Sequence, residues 1–578
     1  MILPEYGVKN LASHVMAMCL KGVSADWERS YHIKPALVET FVDKERYLGT
    51  CYKAGNWILL GETKGRSRND RFHENKFSKK YIYVYELEKG WLCPAPKKDE
   101  KEVEVKEEDW VTEDWVEEDW VTEELQGTKL SNKAKKKRLI TLTRDFFNKP
   151  ASPLPLVCEG EAKLKGAYRF FADDQVKPEE ILNSHLKQTI ERAKKEKVVL
   201  SVNDTTSFNL SGHKATKEIG YLSSAQNQIG YLLHDTVLFT TNGVPLGVLG
   251  GQTWARDIKE YGKKKERKNK PIEEKESYKW LKSLQATARA QETAPDVQFI
   301  SVGDREADVY ELFELAKKQE LSFLVRSSQN RRTTEDIKVW DLIGKEGITG
   351  VMLVQVQDKN KKPREAELEI RYRKVRLVAP QGKKDKGEIE LWAIRAKEIN
   401  PPKGEAGLDW KLFTNIEIGN FTEACEKVKW YTTRFKIETF HRILKSGRRS
   451  EDKRLQTFGR LERCLAIDMI TAWRLMYLTM SGRETPDIES NLFFNKHEIE
   501  VLKQIKYGKN YNGKQTLSLK EATKTIANLG GYISGKNRVP GVEVMWRGLR
   551  RLEDMILGAL LMKRCLSDKA WRDNLDYG

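Results

Sequence analysis

The sequence predicts an α/β fold in which a mixed sheet flanked by helices is interrupted by an antiparallel β insertion. Three observations support this class. Short apolar runs that end at Asp204 and Asp304 alternate with helical patterns. Residues 346–410 alternate apolar and polar side chains with a period of two, and helical periodicity returns at residue 421. Alternating strands and helices favour a largely parallel sheet, whereas period-two alternation is typical of antiparallel strands.

The central region contains short apolar runs that predict buried strands. KVVLSV precedes Asp204, and VQFISVG precedes Asp304. READVYELFELAKKQE then predicts a helix and LSFLVRSS another strand, which together form a βαβ unit. Because open α/β sheets place ligands at the carboxyl ends of strands, Asp204 and Asp304 are candidate site residues. An aspartate after a strand also commonly caps a turn or a helix, so neither residue decides the matter alone.

The stretch WYTTRFKIETFHRILKSG, residues 430–447, carries an unusual polar pattern. On a helical wheel Ile437, Phe440, Ile443 and Leu444 form one apolar face, which predicts that this face is buried. Tyr431, Arg434, Glu438 and Lys445 project within about 60° of one another over roughly four turns. The plain interpretation of this stripe is a solvated face with an Arg434–Glu438 ion pair.

Composition restricts the class of partner and compartment. The 578 residues include 103 Lys and Arg against 85 Asp and Glu, a net charge of +18, which points to a polyanionic partner, most often nucleic acid. The seven scattered cysteines show no zinc spacing, so we expect reduced thiols in a cytoplasmic, nucleoid-associated protein. We expect no membrane insertion and no secretion, because no signal-peptide pattern and no apolar run of about 18 residues is present.

An acidic repeat separates the N-terminal region from the rest. Residues 101–126 contain twelve acidic residues and two lysines, built around EEDWV TEDWV EEDWV with Trp110, Trp115 and Trp120 in register. A period of five matches neither helix nor strand, so we expect a flexible acidic linker; a decoy that competes with DNA is the alternative. The charge then reverses in KLSNKAKKKRLITLTRDFF, where a new domain is expected to begin.

Three blocks resemble the catalytic blocks of DDE transposases of the Tn-five type, in the insertion-sequence-four family. They are NDTTSFNLSGH around Asp204, GDREADVYELF around Asp304 and YTTRFKIETFHRILKSG around Glu438. The last block matches the family's Y-(2)-R-(3)-E-(6)-K signature at every defined position. The resemblance covers roughly residues 129–480 and implies an RNase H-like catalytic core.

The resemblance implies that Asp204, Asp304 and Glu438 are the catalytic residues and hold two Mg²⁺ or Mn²⁺ ions. It implies that Tyr431, Arg434 and Lys445 contact phosphates of the transposon end, and that Trp410 stacks on a flipped base. For Trp410 an ordinary core position is the alternative.

Further DNA contacts are implied for Arg326 and, in the basic block, for Lys136, Lys137 and Arg138. Arg305 and Asp308 are expected to support the metal ligands. The run Lys263–Lys270, KKKERKNK, either tracks phosphates or is a solvated loop.

The N-terminal segment ETFVDKERYLGTCYKAGNWILLGETKGRSRNDR resembles the domain of the Druantia anti-phage protein DruA, which also precedes transposase modules. We expect an α+β domain here, with Met1 as a truncated start. Seven parts are expected along the chain: 1–95 DruA-like; 96–127 linker; 128–197 helical, end-binding; 198–345 catalytic core, first part; 346–410 β insertion; 411–480 core, second part; and 481–578 helical, for dimerisation.

The activity implied by the resemblance is cut-and-paste transposition. A homodimer would bind the inverted-repeat ends of its element and target DNA, and cleavage would pass through hairpin ends. The alternatives are a domesticated DNA-binding defence or regulatory protein without transposition, and a structure-specific nuclease.

Overall fold

The computed structural model describes residues 11–31, 34–63, 78–87, 119–213, 215–222, 228–260, 270–357, 363–382, 386–535 and 539–567. The chain divides into two compact units, Met1–Asp109 and Trp110–Gly578. No helix in the described ranges is long and apolar enough to cross a membrane.

The N-terminal unit has the expected mixture of helix and antiparallel strand. Its elements are α1 (Leu11–Tyr31), β1 (Leu37–Asp43), α2 (Thr50–Ala54), β2 (Ile58–Glu62) and β3 (Lys80–Glu86). The strands form one antiparallel sheet with β3 in the centre. Val42, Trp57 and Tyr83 make its small buried core, and Tyr52 stacks on Tyr83 with ring centroids 5.4 Å apart.

In the described residues, the larger unit begins with five helices: α3 (Trp120–Leu125), α4 (Lys133–Asn148), α5 (Leu154–Cys158), α6 (Glu161–Ala172) and α7 (Pro178–Ala193). The expected acidic linker, 96–127, overlaps α3. Val121 and Leu125 of α3 are fully buried, and Asp119 caps the helix by accepting a hydrogen bond from the backbone N–H of Thr122. Glu124 is held by Arg192, with two N–O distances of 2.9 Å. The linker interpretation is therefore wrong for residues 119–127, whereas the repeat before Asp119 lies outside the described residues.

Ten strands in the described part of the larger unit form one sheet. They are β4 (Val198–Asn209), β5 (Gly220–Tyr221), β6 (Ile229–Thr240), β7 (Pro245–Trp254), β8 (Gln298–Gly303), β9 (Ser322–Arg326), β10 (Gly350–Gln357), β11 (Pro363–Leu377), β12 (Ile389–Glu398) and β13 (Asp409–Thr414). Their spatial order is β10-β11-β12-β13-β9-β8-β4-β6-β5, and β7 pairs with β6. The fold is thus α/β with a large mixed sheet flanked by helices.

The parallel part of the sheet contains the predicted βαβ unit, which is formed by β8 and β9 with the helix between them. Strands β4, β8 and β9 run parallel, and α9 (Tyr310–Lys318) connects β8 to β9. The runs that precede Asp204 and Asp304 are fully buried at Leu200, Val202 and Ile300, as their continuous apolar character predicts. Two further helices belong to this region, α8 (Tyr278–Thr293) and α10 (Val339–Lys345).

The β insertion is present and extends the central sheet. Strands β10 to β13 are antiparallel neighbours, and Leu412 of β13 pairs with Arg326 of β9. The period-two pattern correctly predicts antiparallel strands. The strand that the expected boundary at residue 410 divides, β13, is hydrogen bonded to both the insertion and the core.

Six helices follow in the described residues: α11 (Phe421–Thr432), α12 (Lys436–Arg442), α13 (Phe458–Glu484), α14 (Lys496–Tyr507), α15 (Leu519–Leu529) and α16 (Val542–Ser567). Helix α13 is buried over most of its length and packs against α4, α7, β7, α15 and α16. The buried Arg448 donates to the backbone oxygens of Phe146 in α4 and Thr471 in α13, both at 2.8 Å. It therefore fixes the segment that follows α12 against both helices.

Candidate active site

Asp204 and Asp304 lie at the same edge of the parallel strands. The parallel pairing of β4 with β8 ends at Val202 opposite Val302, so each aspartate follows the last paired valine by two residues. Asp304 comes directly after β8, and its side chain accepts a hydrogen bond from the N–H of Glu306 at 2.8 Å. The two aspartates thus follow the end of the parallel pairing, and both line one cleft.

Asp204 itself is not at a strand end, contrary to expectation. Strand β4 continues to Asn209 because its other neighbour, β6, stays paired with it to Gly230. Asp204 lies opposite Asp235 of β6, which is fully buried. An antiparallel partner on one side thus prolongs a strand whose parallel partner has already ended.

Glu438 is carried by α12, which belongs to a helical run of mixed geometry. A 3₁₀ turn, Thr433–Phe435, precedes α12, and a π-helical turn, Ile443–Gly447, follows it. The apolar face predicted for this run is confirmed, since Ile437, Phe440, Ile443 and Leu444 are at most 1% exposed. The nitrogen Nζ of Lys436 donates to the backbone oxygen of Asn242 at 2.8 Å, which holds α12 against the β6–β7 turn.

The three predicted carboxylates line one cleft of about 510 Å³. Arg434 and Lys445 also line this cleft. Sequence reasoning missed its other lining residues, which are Thr205, Thr206, His441, Arg442 and Ser446. His441 and Arg442 stand three and four residues after Glu438, a spacing that could have indicated a shared helix face.

Arg434 connects two of the carboxylates. Its Nη1 lies 3.2 Å from Oδ2 of Asp204, and its Nη2 lies 2.6 Å from Oε1 of Glu438. Arg434 is 8% exposed and its guanidinium packs on the ring of Phe435 at 4.9 Å. The ion pair within the helix that the plain interpretation predicts is therefore present, but it reaches a third charged group on another element.

Burial dominates the electrostatics of the cleft. It raises the pKa of Asp204 and of Asp304, although Arg434 opposes the shift at both groups. Burial also lowers the pKa of Lys445. Arg434 thus offsets the effect of burial on the two aspartates only in part.

His441 joins the cleft to a buried acid behind it. Its Nε2 lies 2.7 Å from Oδ1 of Asp235, and its Nδ1 lies 4.0 Å from Oδ2 of Asp204. Burial alone lowers the pKa of His441, but the charge and hydrogen bond of Asp235, together with Asp204, raise it overall. A protonated His441 would compensate part of the charge of both aspartates.

The donor chemistry of the cleft fits a divalent cation, because Mg²⁺ and Mn²⁺ prefer carboxylate oxygens. Within the described ranges, however, no three His, Cys, Asp or Glu side chains stand close enough to hold an ion. Arg434 occupies the space between Asp204 and Glu438. The acids are therefore gathered at one cleft without forming a complete set of ligands.

Tyr431 and Trp410 are both in the core. Tyr431 is 1% exposed and Trp410 4% exposed, and their rings meet edge to face at 6.0 Å. Phe435 packs against both rings. Burial raises the pKa of Tyr431, although the charges of Arg434 and Arg326 oppose the shift. Tyr431 is therefore buried in the core and does not line the cleft with Arg434, Glu438 and Lys445. Neither the Tyr431 ring nor the Trp410 ring exposes a face on which a DNA base could stack.

The basic block lies at the start of α4 and does not line the cleft. Lys137 is exposed, Lys136 donates to the backbone oxygen of Gln126, and Arg138 packs beside Gly166 of α6. The run Lys263–Lys270 lies outside the described residues, apart from its last member.

Asp308 organises the loop that follows β9. It accepts hydrogen bonds from the N–H groups of Ser328 and Gln329 at 2.7 and 3.0 Å. It also pairs with the buried Arg331, with N–O distances of 2.6 and 2.9 Å. Asp308 therefore supports the loop after Arg326 and does not line the cleft.

Two segments match family models. Residues 1–91 match the family described as Druantia protein DruA, and residues 117–176 match the family described as Transposase DNA-binding.

Among solved structures, a piggyBac transposase in a synaptic complex with hairpin DNA matches this chain at 11% identity and a TM-score of 0.29. The match covers 69% of this chain and 60% of the piggyBac chain. The two family matches thus identify an N-terminal DruA domain, followed along the chain by a transposase DNA-binding domain.

Proposed function

We propose that this chain is a DDE-type DNA transposase of the Tn-five type, in the insertion-sequence-four family. The observation that carries the proposal is the shared cleft of Asp204, Asp304 and Glu438, which come from three separate elements and stand in the order D, D, E. Arg434 and Lys445 of the Y-R-E-K signature line the same cleft. The match of residues 117–176 to a transposase DNA-binding family supports DNA as the partner.

The sheet topology supports an RNase H-like core. Strands β7, β6 and β4 are antiparallel neighbours, and β4, β8 and β9 continue in parallel, which gives the order β7-β6-β4-β8-β9. Three antiparallel strands followed by two parallel strands is the arrangement expected for that core, with the first aspartate on the central strand and the second after its parallel neighbour. Asp204 and Asp304 occupy these positions.

The residues divide the work of phosphodiester cleavage. Asp204, Asp304 and Glu438 would hold two Mg²⁺ or Mn²⁺ ions, which when bound supply activation of the attacking oxygen and stabilisation of the leaving oxygen. Arg434 would grip a phosphate with its planar fork, and Lys445 would add a point charge further along the backbone. Arg442 is exposed on the same cleft and would extend this cationic track.

In the proposed reaction a homodimer holds two inverted-repeat ends. Water attacks a phosphorus at the transposon end and the 3′ oxygen leaves, which nicks one strand. The released 3′-hydroxyl then attacks a phosphorus of the opposite strand. The new phosphodiester bond closes a hairpin, and the bond from that phosphorus to the 3′ oxygen of the adjoining nucleotide breaks. After the hairpin is reopened, the 3′ end joins target DNA.

The test is cleavage of a duplex that contains the element's end, identified from inverted repeats beside the gene. Asp204→Asn, Asp304→Asn or Glu438→Gln should abolish nicking in Mg²⁺ and change gel-shift affinity little. Asp296→Asn, an exposed acid just before β8, is the matched control and should cut as well as the wild type. Strong cleavage by any one of the three variants would remove that residue from the site.

A second candidate is a DNA-binding defence or regulatory protein that does not transpose. The match of residues 1–91 to a Druantia protein family favours it. The same assay separates the two candidates, because this protein would bind DNA and leave it uncut in both Mg²⁺ and Mn²⁺.

A further inference from the structure

The guanidinium of Arg434 occupies the position between two carboxylates of the proposed active site. It is 3.2 Å from Asp204 on the central strand and 2.6 Å from Glu438 on α12. Glu438 has 57% of its side chain exposed, whereas Arg434 has only 10%. The cation that joins the strand to the helix is therefore part of the protein itself.

This contact and a bound divalent ion exclude one another. The carboxylate oxygens that face Arg434 are those that a cation between the two acids would need. A guanidinium carries one positive charge, and it cannot approach as closely as an ion that binds carboxylate oxygens directly. The described side chains accordingly form no cluster able to hold a metal ion.

The hydrogen-bonding capacity of Arg434 is also not fully used in this position. Its Nε is buried and finds no acceptor in the described part of the chain. An arginine fork can bind a phosphate through two N–H groups at once, so a DNA phosphate in the cleft offers a better set of acceptors. Arg442 and Lys445 line the same cleft and would attract the DNA backbone to it.

We infer that Arg434 is an internal cation that keeps the DNA-free site from binding metal and that moves onto a DNA phosphate when DNA enters the cleft. The inference rests on the proposed function. Metal and DNA then bind cooperatively: DNA withdraws the guanidinium from the acids, and metal releases it for the phosphate. Because linkage is reciprocal, each ligand raises the affinity for the other by the same factor.

The coupling between metal binding and DNA binding can be measured as a change in affinity. Binding couplings in proteins commonly amount to factors of about 5 to 150. We therefore expect DNA to raise the Mn²⁺ affinity of the full chain by roughly 10- to 100-fold. The consequence for the proposed enzyme is that a chain without bound DNA holds little metal at this site.

The experiment measures Mn²⁺ binding by electron paramagnetic resonance of the free ion, on the full chain with and without a DNA duplex. Arg434→Gln should bind Mn²⁺ about 10- to 100-fold more tightly than the wild type in the absence of DNA, and DNA should add little further. Lys279→Gln removes one positive charge that also acts on Asp304, at a residue outside the lining of the cleft, and is the matched control. It should keep the weak DNA-free binding and the gain on adding DNA. Asp204→Asn reports whether the bound ion is in this cleft.

The outcomes separate this inference from the proposed function. Equal DNA-free affinity of the wild type and Arg434→Gln, with binding that still needs Asp204, would overturn the inference and leave the metal site in place. A tighter site in Lys279→Gln as well would also overturn it, because general charge removal would then explain the effect. Mn²⁺ binding that does not depend on Asp204 in any variant would instead refute the proposed metal site.

Discussion

Trp410→Ala tests whether the indole packs in the core or stacks on a DNA base. The side chain is 4% exposed on β13 and contacts the rings of Tyr431 and Phe435. Replacing a buried Trp by Ala costs about 3–5 kcal/mol, and the two aromatic contacts account for roughly 0.5–1.5 kcal/mol each beyond burial. Because Tyr431 precedes Arg434 by one turn, the cavity should also loosen the helix that carries Glu438.

We therefore expect Trp410→Ala to lower the urea midpoint of the full chain clearly and to reduce nicking and hairpin formation together. Trp392→Ala, on the neighbouring strand β12 and only partly buried, is the control and should have the smaller effect. Circular dichroism follows unfolding, and denaturing gels follow nicked and hairpin DNA. An unchanged urea midpoint, with normal nicking and a hairpin yield down by about 10- to 100-fold, would refute core packing and support base stacking.

Two further predictions concern regions outside the cleft. Burial raises the pKa of Glu498 from 4.5 to about 7, so the folded chain holds a proton between these values that the unfolded chain has lost, and stability should fall as pH rises through this window. Glu498→Gln should remove this loss and be more stable than the wild type at pH 8 by about 3 kcal/mol, measured by urea unfolding at pH 5 and pH 8; identical pH dependence of both proteins would contradict the assignment. In α4, Lys137→Gln should weaken binding to all DNA sequences alike and reduce the slope of log affinity against log salt by about 0.9, whereas Lys520→Gln in α15 should not; an unchanged slope for Lys137→Gln would remove this lysine from the DNA interface.

Local pattern was sufficient to predict the main elements around the site. Apolar runs marked β4 and β8, and the wheel of residues 430–447 identified the buried face of α12. The βαβ unit implied that Asp204 and Asp304 would meet at one sheet edge, and they do line one cleft. These features follow from short-range periodicity, which a single sequence displays directly.

Other features depend on partners that are distant in sequence. Tyr431 is buried by its contacts with Trp410 and Phe435. Because Trp410 is on β13, a helical wheel of residues 430–447 cannot show this contact. The bridge from Arg434 to Asp204 spans 230 residues. The acidic composition around α3 predicts a linker, whereas the buried pairing of Glu124 with Arg192 on α7 makes this helix part of the core. Long-range packing overrides local charge in each case.

The register of β4 makes the position of the first aspartate an all-or-none property. Asp204 lies opposite Asp235 while Val202 lies opposite Val302, so β4 is held in step by neighbours on both sides. A slip of one residue would turn the side chain at Asp204 to the opposite face of the sheet and put Asn203 or Thr205 in its place. It would also break the hydrogen bonds of Asn203 to Ser301 and Thr236. Substitution of Asp204 can therefore remove the carboxylate from the site, but a shift of the strand cannot adjust the position of this carboxylate by small steps.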